Sequence, residues 1–342
     1  MTPPARPGRG LHPAVMVATV AGALVAGAAL AGCGDGSPSA LDPDGGPARH
    51  VASLWWLLLG LGGAVYAVVA GLIVASWRRR AAGLDVNRFV VVGGLAVPAV
   101  VLAVVGVQTV RVTGEVFANQ GRTADVVVEG EQWWWRVSYP GTGVVTANTI
   151  HIPTGRPVTL ELRSEDVIHS LWVPQLAPKV DMIPGQPNQL VLDARHPGTY
   201  QGQCAEFCGL QHAHMRFVVV AQKPADFEAW LDARRGAPPA PAPGSEAEAG
   251  RQVFLDQACS GCHRVAGTEA EGTDGPDLTD MGSRASLGAG TAPNDPETLA
   301  RWVRDAPSLK PGVLMPPIQL SEEETQALVA YLDSLDPDSG AP

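Results

Sequence analysis

Cys204-Ala-Glu-Phe-Cys208-Gly-Leu-Gln-His212-Ala-His214-Met215 sets two thiols four residues apart, an imidazole four residues after the second and a thioether three beyond that. Thiolate, imidazole and thioether together select copper over hard cations, and deprotonated cysteine suits Cu(I) especially well. A single blue-copper centre uses one cysteine, so a second thiolate at this spacing points to two copper ions bridged by both sulfurs. The chemistry of such a centre is one-electron transfer. A disulfide between Cys204 and Cys208 is the other use an exported chain has for the pair, and it leaves His212 and Met215 unexplained.

Working outward, Gly202–Met215 resembles the CuA loop of cytochrome c oxidase subunit II, and two further stretches are similar to the same family. Ser164-Glu-Asp-Val-Ile-His169-Ser-Leu-Trp-Val-Pro174 resembles the segment that carries the upstream histidine ligand. Gln132-Trp133-Trp134-Trp135 resembles the aromatic patch through which electrons arrive. The resemblance covers roughly residues 50–235. It implies copper ligands His169, Cys204, Cys208, His212, Met215 and the backbone carbonyl of Glu206. It also implies an exposed Trp133 that receives electrons, and a Glu206 carboxylate that helps hold magnesium at the border with subunit I. Strand alternation alone allows another reading of the tryptophans, with Trp133 and Trp135 packed on one buried face and Trp134 on the other. His151, His196 and His214 match no ligand position and read as surface or supporting residues.

Around these motifs, residues 111–235 break into short runs rich in Val, Thr and aromatics between Gly and Pro: Ala124–Val128, Trp133–Tyr139, Pro157–Arg163, Gln189–Leu192 and Met215–Ala221. Val158, Leu160 and Leu162 alternate with Thr159, Glu161 and Arg163, the period of a half-buried strand. Such strands predict a Greek-key sandwich or barrel, and the family's cupredoxin-like fold agrees. Pro224–Arg235 predicts a short helix beginning with proline.

Upstream lie two apolar runs, Leu54–Trp77 and Phe89–Val110. As helices they span about 36 and about 33 Å, each enough to cross a bilayer. Arg78, Arg79, Arg80 and Arg88 fill the loop between them, so the loop is expected on the cytoplasmic side and residues 53–110 form a transmembrane hairpin whose ends face outward. The family often carries a Glu seven residues before a proline of the second helix. Counting back from Pro98 gives Val91, and the nearest acid is Asp85 in the loop, so no proton-path residue is assigned.

Residues 1–33 read as an export signal, with Arg6 and Arg9 before an apolar run. It ends in Leu30-Ala-Gly-Cys33, which resembles a bacterial lipobox with Cys33 as the lipidated residue; an uncleaved first helix is the alternative. Residues 34–52, rich in Gly, Pro, Asp and Ser at their start, read as a flexible tether.

Downstream, Gly236-Ala-Pro-Pro-Ala-Pro-Ala-Pro-Gly244 is a stiff linker, and residues 245–342 form a separate small domain. Cys259-Ser-Gly-Cys262-His263 is the CxxCH signature of covalent haem c attachment, with His263 as an axial ligand; a redox CxxC pair is the plainer alternative. The second ligand is expected to be Met315, in Lys310-Pro-Gly-Val-Leu-Met-Pro-Pro317, which resembles the cytochrome c ligand loop; Met281 competes. Glu246–Gln257 and Ser321–Leu335 predict the first and last helices, the latter opened by a Ser321/Glu324 capping box. Tyr331 is expected against the first helix, and Trp302 is expected to pack in the haem pocket.

The expected architecture is thus multidomain: a two-helix transmembrane hairpin, an all-β cupredoxin-like Greek-key domain and a small all-α cytochrome c domain. Of the five cysteines, one is assigned to lipid, two to copper and two to haem. The formal net charge of −10 over 342 residues, with no basic stripe, excludes a nucleic-acid partner. The function expected is electron input to a haem-copper terminal oxidase in a bacterial membrane. The cytochrome bc complex or a small cytochrome c is the donor, and subunit I, among other membrane subunits, is the acceptor and the site of oxygen reduction. The same module on a CuA-bearing nitric oxide reductase is one alternative. A membrane-anchored copper-delivery protein, with an exposed and exchangeable thiol pair, is another.

Overall fold

The structure, a computed structural model, describes residues 38–78, 85–117 and 121–340. Cys33, the export signal and residues 79–84 of the arginine loop lie outside the described residues. The first two elements, α1 (Gly46–Arg78) and α2 (Val86–Val116), are both long and apolar enough to cross a membrane, and they lie side by side. Asp85 is the N-cap of α2, its carboxylate accepting from the backbone N–H groups of Asn87 and Arg88 at 3.1 and 3.2 Å. Pro98 has no N–H to give and crowds the carbonyl one turn back, and just upstream the helix widens into a π turn over Val92–Ala96.

Where a flexible tether was expected, residues 38–45 lie against the β domain, and α1 starts at Gly46, eight residues before the apolar run. Asp44 fixes this approach. Its carboxylate accepts from the backbone N–H of Arg195 at 2.8 Å and of His196 at 3.2 Å, and from the Tyr200 hydroxyl at 2.8 Å. It also meets His196 Nδ1 at 2.5 Å. Burial on its own raises this carboxyl's pKa, and the hydrogen bonds outweigh that and bring it below the usual carboxylate value. His196 therefore has a structural partner in Asp44.

Ten strands form two five-stranded sheets packed as a sandwich. β1 (Val126–Glu131), β2 (Trp134–Tyr139), β3 (Val144–Ala147), β5 (Val158–Ser164) and β8 (Asn188–Leu192) make the first, in the order β3-β2-β1-β5-β8. β4 (Thr149–Pro153), β6 (His169–Val173), β7 (Ala177–Met182), β9 (Gly198–Cys204) and β10 (Arg216–Gln222) make the second, in the order β4-β10-β9-β6-β7. The pairs β1/β5 and β10/β4 run parallel and the rest antiparallel, the mixed arrangement of a cupredoxin-like sandwich. Val126, Val128, Trp135, Val137, Ile150, Leu160, Leu162, Leu171 and Val219 fill the space between the sheets. α3 (Pro224–Arg234) closes one side by burying Phe227, Trp230 and Leu231. His151 belongs to this side: its ring stacks on Trp230 at 3.9 Å and its Nδ1 meets Gln222 Oε1 at 2.9 Å.

The last domain is helical: α4 (Glu246–Asp256), α5 (Cys259–Cys262), α6 (Pro296–Leu309) and α7 (Glu322–Ser334). Ser321 and Glu324 form the expected capping box at the start of α7. α4 and α7 touch at Gly250, where a Cβ would sit 1.8 Å from the carbonyl oxygen of Ala327, so only glycine permits the approach. Phe254 and Tyr331 then pack with ring centroids 5.7 Å apart.

Candidate redox sites

The first site lies at one end of the sandwich. β6 opens on His169, β9 ends on Cys204 and β10 begins just after Met215, so three neighbouring strand ends carry the loop that holds Cys208 and His212. Cys204 Sγ and Cys208 Sγ are 3.8 Å apart. His169 Nδ1 is 3.9 Å from Cys204 Sγ, and the carbonyl oxygen of Glu206 is 3.2 Å from the same sulfur. Around Cys208 Sγ stand His212 Nδ1 at 3.7 Å and Met215 Sδ at 3.8 Å. Each thiol thus has one imidazole and one weaker donor beside it. Two sulfurs between two such half-sets can bridge a pair of soft ions, and this donor set fits two coppers. Cys204, Cys208, His169 and Met215 are buried at 4%, 3%, 0% and 0% exposure, so the donors meet one another and not water. The thiols act as a pair: the hydrogen bond they share pulls the Cys204 pKa well down and pushes that of Cys208 up.

Asp166, absent from the sequence expectations, orients the upstream histidine. Its carboxylate sits 2.8 Å from His169 Nε2 and accepts from the backbone N–H of Gln132 and Val167 at 2.7 and 2.6 Å, which leaves His169 Nδ1 facing the sulfurs. Burial raises the Asp166 pKa, and its hydrogen bonds reverse that to a net lowering. Gly130 of β1 provides the room, since a Cβ there would stand 2.9 Å from His169 Cδ2. The signal was legible: an acid three residues before the histidine, inside the quoted segment. Replacing Asp166 with Ala is expected to weaken copper retention about 10–100-fold, checked by competition against a Cu(I) chelator.

His214, two residues after His212, bonds Gln211 Oε1 through Nδ1 at 2.7 Å and contributes no donor to the cluster. The Glu206 carboxylate, which the resemblance gives to magnesium, is 2.9 Å from the Lys179 ammonium.

Trp133 departs from expectation in one respect: it is not exposed. Its side chain is 9% accessible, with Trp135 fully buried and Trp134 on the other face under the Arg136 guanidinium. Trp133 Nε1 donates to the carbonyl oxygen of Cys208 at 3.0 Å, and Gln132 Nε2 donates to the same oxygen at 2.7 Å. The helical domain supplies the cover. A Cβ on Gly312 would stand 3.4 Å from the Trp133 ring and 2.9 Å from Leu210, and Gly312 adopts φ +89°. Glycine is favoured there by its backbone conformation.

In the helical domain, α5 is a single turn that brings Cys259 and Cys262 to one side, with His263 following as its C-cap. His263 Nδ1 lies 2.8 Å from the carbonyl oxygen of Pro276, the partner that fixes the tautomer and leaves the Nε2 lone pair available. Gly275 packs against the ring, where a Cβ would come within 2.5 Å of His263 Cε1. Met281 is buried in the core, its sulfur 3.9 Å from an Arg284 guanidinium nitrogen. Met315 sits half-buried in the irregular segment between α6 and α7, beside an 87%-exposed Leu314. Trp302 packs on this domain's core and over Gly288.

These two sites on two such folds describe a membrane-attached copper and haem electron carrier. The profile for "Cytochrome C oxidase subunit II, periplasmic domain" matches residues 142–222, and that for "Cytochrome c" matches residues 247–336. Cytochrome c oxidase subunit 2 of Alkalihalophilus pseudofirmus is 35% identical over 90% of this chain and 93% of its own length. That of a Bacillus species is 33% identical over 70% and 72%. A solved periplasmic domain of oxidase subunit II from Bradyrhizobium japonicum is 26% identical, with a TM-score of 0.32, covering 33% of this chain and 96% of that one. The chain belongs to the cytochrome c oxidase subunit II family, in the form that carries a C-terminal cytochrome c domain. The first domain is accordingly the CuA copper domain and the second a haem domain.

Proposed function

We propose that this chain takes up electrons on its haem domain and delivers them through its copper domain to the catalytic subunit of a haem-copper oxidase. The observation that carries the reading is the contact at Trp133. The indole is hydrogen-bonded to the backbone of the ligand Cys208 and lies under Gly312, three residues before Met315, so one side chain bridges the two sites.

His169, Cys204, Cys208, His212, Met215 and the Glu206 carbonyl hold the copper pair, and His263 and Met315 hold the haem iron with Cys259 and Cys262 in thioether links. When bound, these groups supply one-electron carriage. The protein's part is to keep the donors still and dry: strands β6, β9 and β10 fix the copper ligands, and Asp166 and the Pro276 carbonyl fix two of the imidazoles. Met315 is preferred to Met281 because the Met281 sulfur is committed to core packing and to Arg284.

The two apolar helices hold the chain beside subunit I and the other membrane subunits of a bacterial membrane, with both soluble domains outside the cytoplasm and Cys33 lipidated. The donor is the cytochrome bc complex or a small cytochrome c. A magnesium ion at the subunit I border would have to displace Lys179 from Glu206. The near-complete burial of Cys204 and Cys208 argues against copper delivery, which needs exchangeable thiols.

The test is isolation of the complex through this chain, followed by gas-uptake measurements with a reduced one-electron donor. Oxygen uptake supports the reading. Uptake of nitric oxide with no oxygen use moves the module to the reductase, and purification without any haem-copper subunit overturns it.

A further inference from the structure

The haem domain meets the copper domain along a polar seam, and one contact in it is unlike the rest. Lys310, at the C-terminal end of α6 and five residues before Met315, is buried at 1% exposure. Among the described residues no carboxylate lies within ion-pairing distance of it. Its ammonium has three N–H donors, and three carbonyl oxygens receive them: Trp133 at 2.9 Å, His214 at 2.9 Å and Gly288 at 2.7 Å. Two of these belong to the copper domain, one on the residue that touches Cys208 and one in the copper loop, and the third belongs to the haem domain. A buried ammonium is costly unless every donor is used, and this arrangement uses all of them only while the domains are together. Beside it Gln211 Nε2 donates to the Pro311 carbonyl at 2.7 Å. At a distance along the sequence, Thr146 Oγ1 donates to Asp280 at 2.6 Å, and Arg234 pairs with Asp338 at 2.8 Å.

We infer that Lys310 is a positioning residue for electron transfer: its ammonium clamps the segment leading to Met315 onto Trp133, so that electrons cross between the domains at a fixed contact and not by swinging on the proline linker. This rests on the function proposed above. Each crossing oxidises the haem by one electron and reduces the copper pair by one, with no bond broken and no proton moved.

Lys310→Met fits the same buried space without the charge. In the intact oxidase complex, two quantities are measured in the wild type, in Lys310→Met and in Thr146→Val: amide hydrogen exchange of residues 309–316 and 131–134, and the rate of electron equilibration between haem and copper after a light-triggered electron injection. For Lys310→Met we expect exchange faster by about tenfold and equilibration slower by about tenfold or more. The haem and copper spectra should be unchanged, and Thr146→Val, which cuts another bond of the same seam, should equilibrate as the wild type does. A native equilibration rate in Lys310→Met overturns the clamp. So does an equal slowing in Thr146→Val, or a changed haem or copper spectrum in Lys310→Met, which would place the lysine's effect on a centre itself. A wild type in which no electron passes between the domains removes the proposed function and with it the electron-transfer role of Lys310, and faster exchange in Lys310→Met would then show a structural clasp alone.

Discussion

Replacing Cys208 with Ser abolishes the copper pair: the electron-shared copper resonance disappears and electron delivery to the oxidase falls at least about a hundredfold, since loss of a mere supporting residue around a metal already costs 10–100-fold. Cys208 Sγ is the hub of the site, within 3.8 Å of Cys204 Sγ, His212 Nδ1 and Met215 Sδ. A serine oxygen is harder and shorter in reach, binds Cu(I) poorly, and cannot bridge two ions with the remaining sulfur. The fold should survive, because the side chain is small and the sandwich core is built from Val, Leu, Ile and Trp elsewhere. Paramagnetic resonance and oxygen uptake on the same preparation check both halves of the prediction; a persisting shared-spin signal contradicts the assignment of Cys208 as a bridge.

The second large effect is expected from Cys259→Ser with Cys262→Ser. In the wild type the haem stays on the polypeptide through denaturing electrophoresis, visible by its peroxidase stain, and in the double variant the stained band is lost entirely. The two thiols sit one turn apart on α5, with His263 held by the Pro276 carbonyl, so porphyrin edge and iron are reached from one short segment. A stain that survives the double substitution would remove the thioether assignment and leave a haem held by its axial ligands alone.

How much of this was legible in the sequence depends on the kind of signal. The copper loop and the CxxCH motif are local, because the chemistry fixes the spacing, and their residues are found together as the spacing implies. Strands β2, β5, β8 and β10 have apolar runs and were found within one residue, whereas β1 was placed two residues early at its start and three short at its end, where Glu129, Gly130 and Glu131 break the run. β9, Gly198-Thr-Tyr-Gln-Gly-Gln-Cys204, has no such run: only Tyr200, Gly202 and Cys204 turn inward, so its pattern is carried by residues that are not strongly apolar. β7, Ala177-Pro-Lys-Val-Asp-Met182, is hidden because only its two end residues are buried and Pro178, Lys179 and Asp181 interrupt any alternation between them. The docking of residues 38–45 was illegible because composition alone reads Gly, Pro and Asp as a tether, whereas Asp44 finds its partners 151–156 residues away. Trp133 was expected in water because the resemblance describes a surface that meets a separate donor; this chain carries a haem domain of its own, and that domain covers the ring. Lys310 gave no signal at all: a lysine near the end of a helix reads as solvated, and only the meeting of the two domains gives its ammonium three carbonyls.

On this reading one chain would hold a bridged copper pair and a haem in electronic contact. The most direct test is the metal content and electron paramagnetic resonance spectrum of the purified full-length protein. About two copper ions per haem iron are expected, with one unpaired electron shared over both coppers, as two bridging thiolates require. One copper per haem or none, with Cys204 and Cys208 joined as a disulfide, would contradict it.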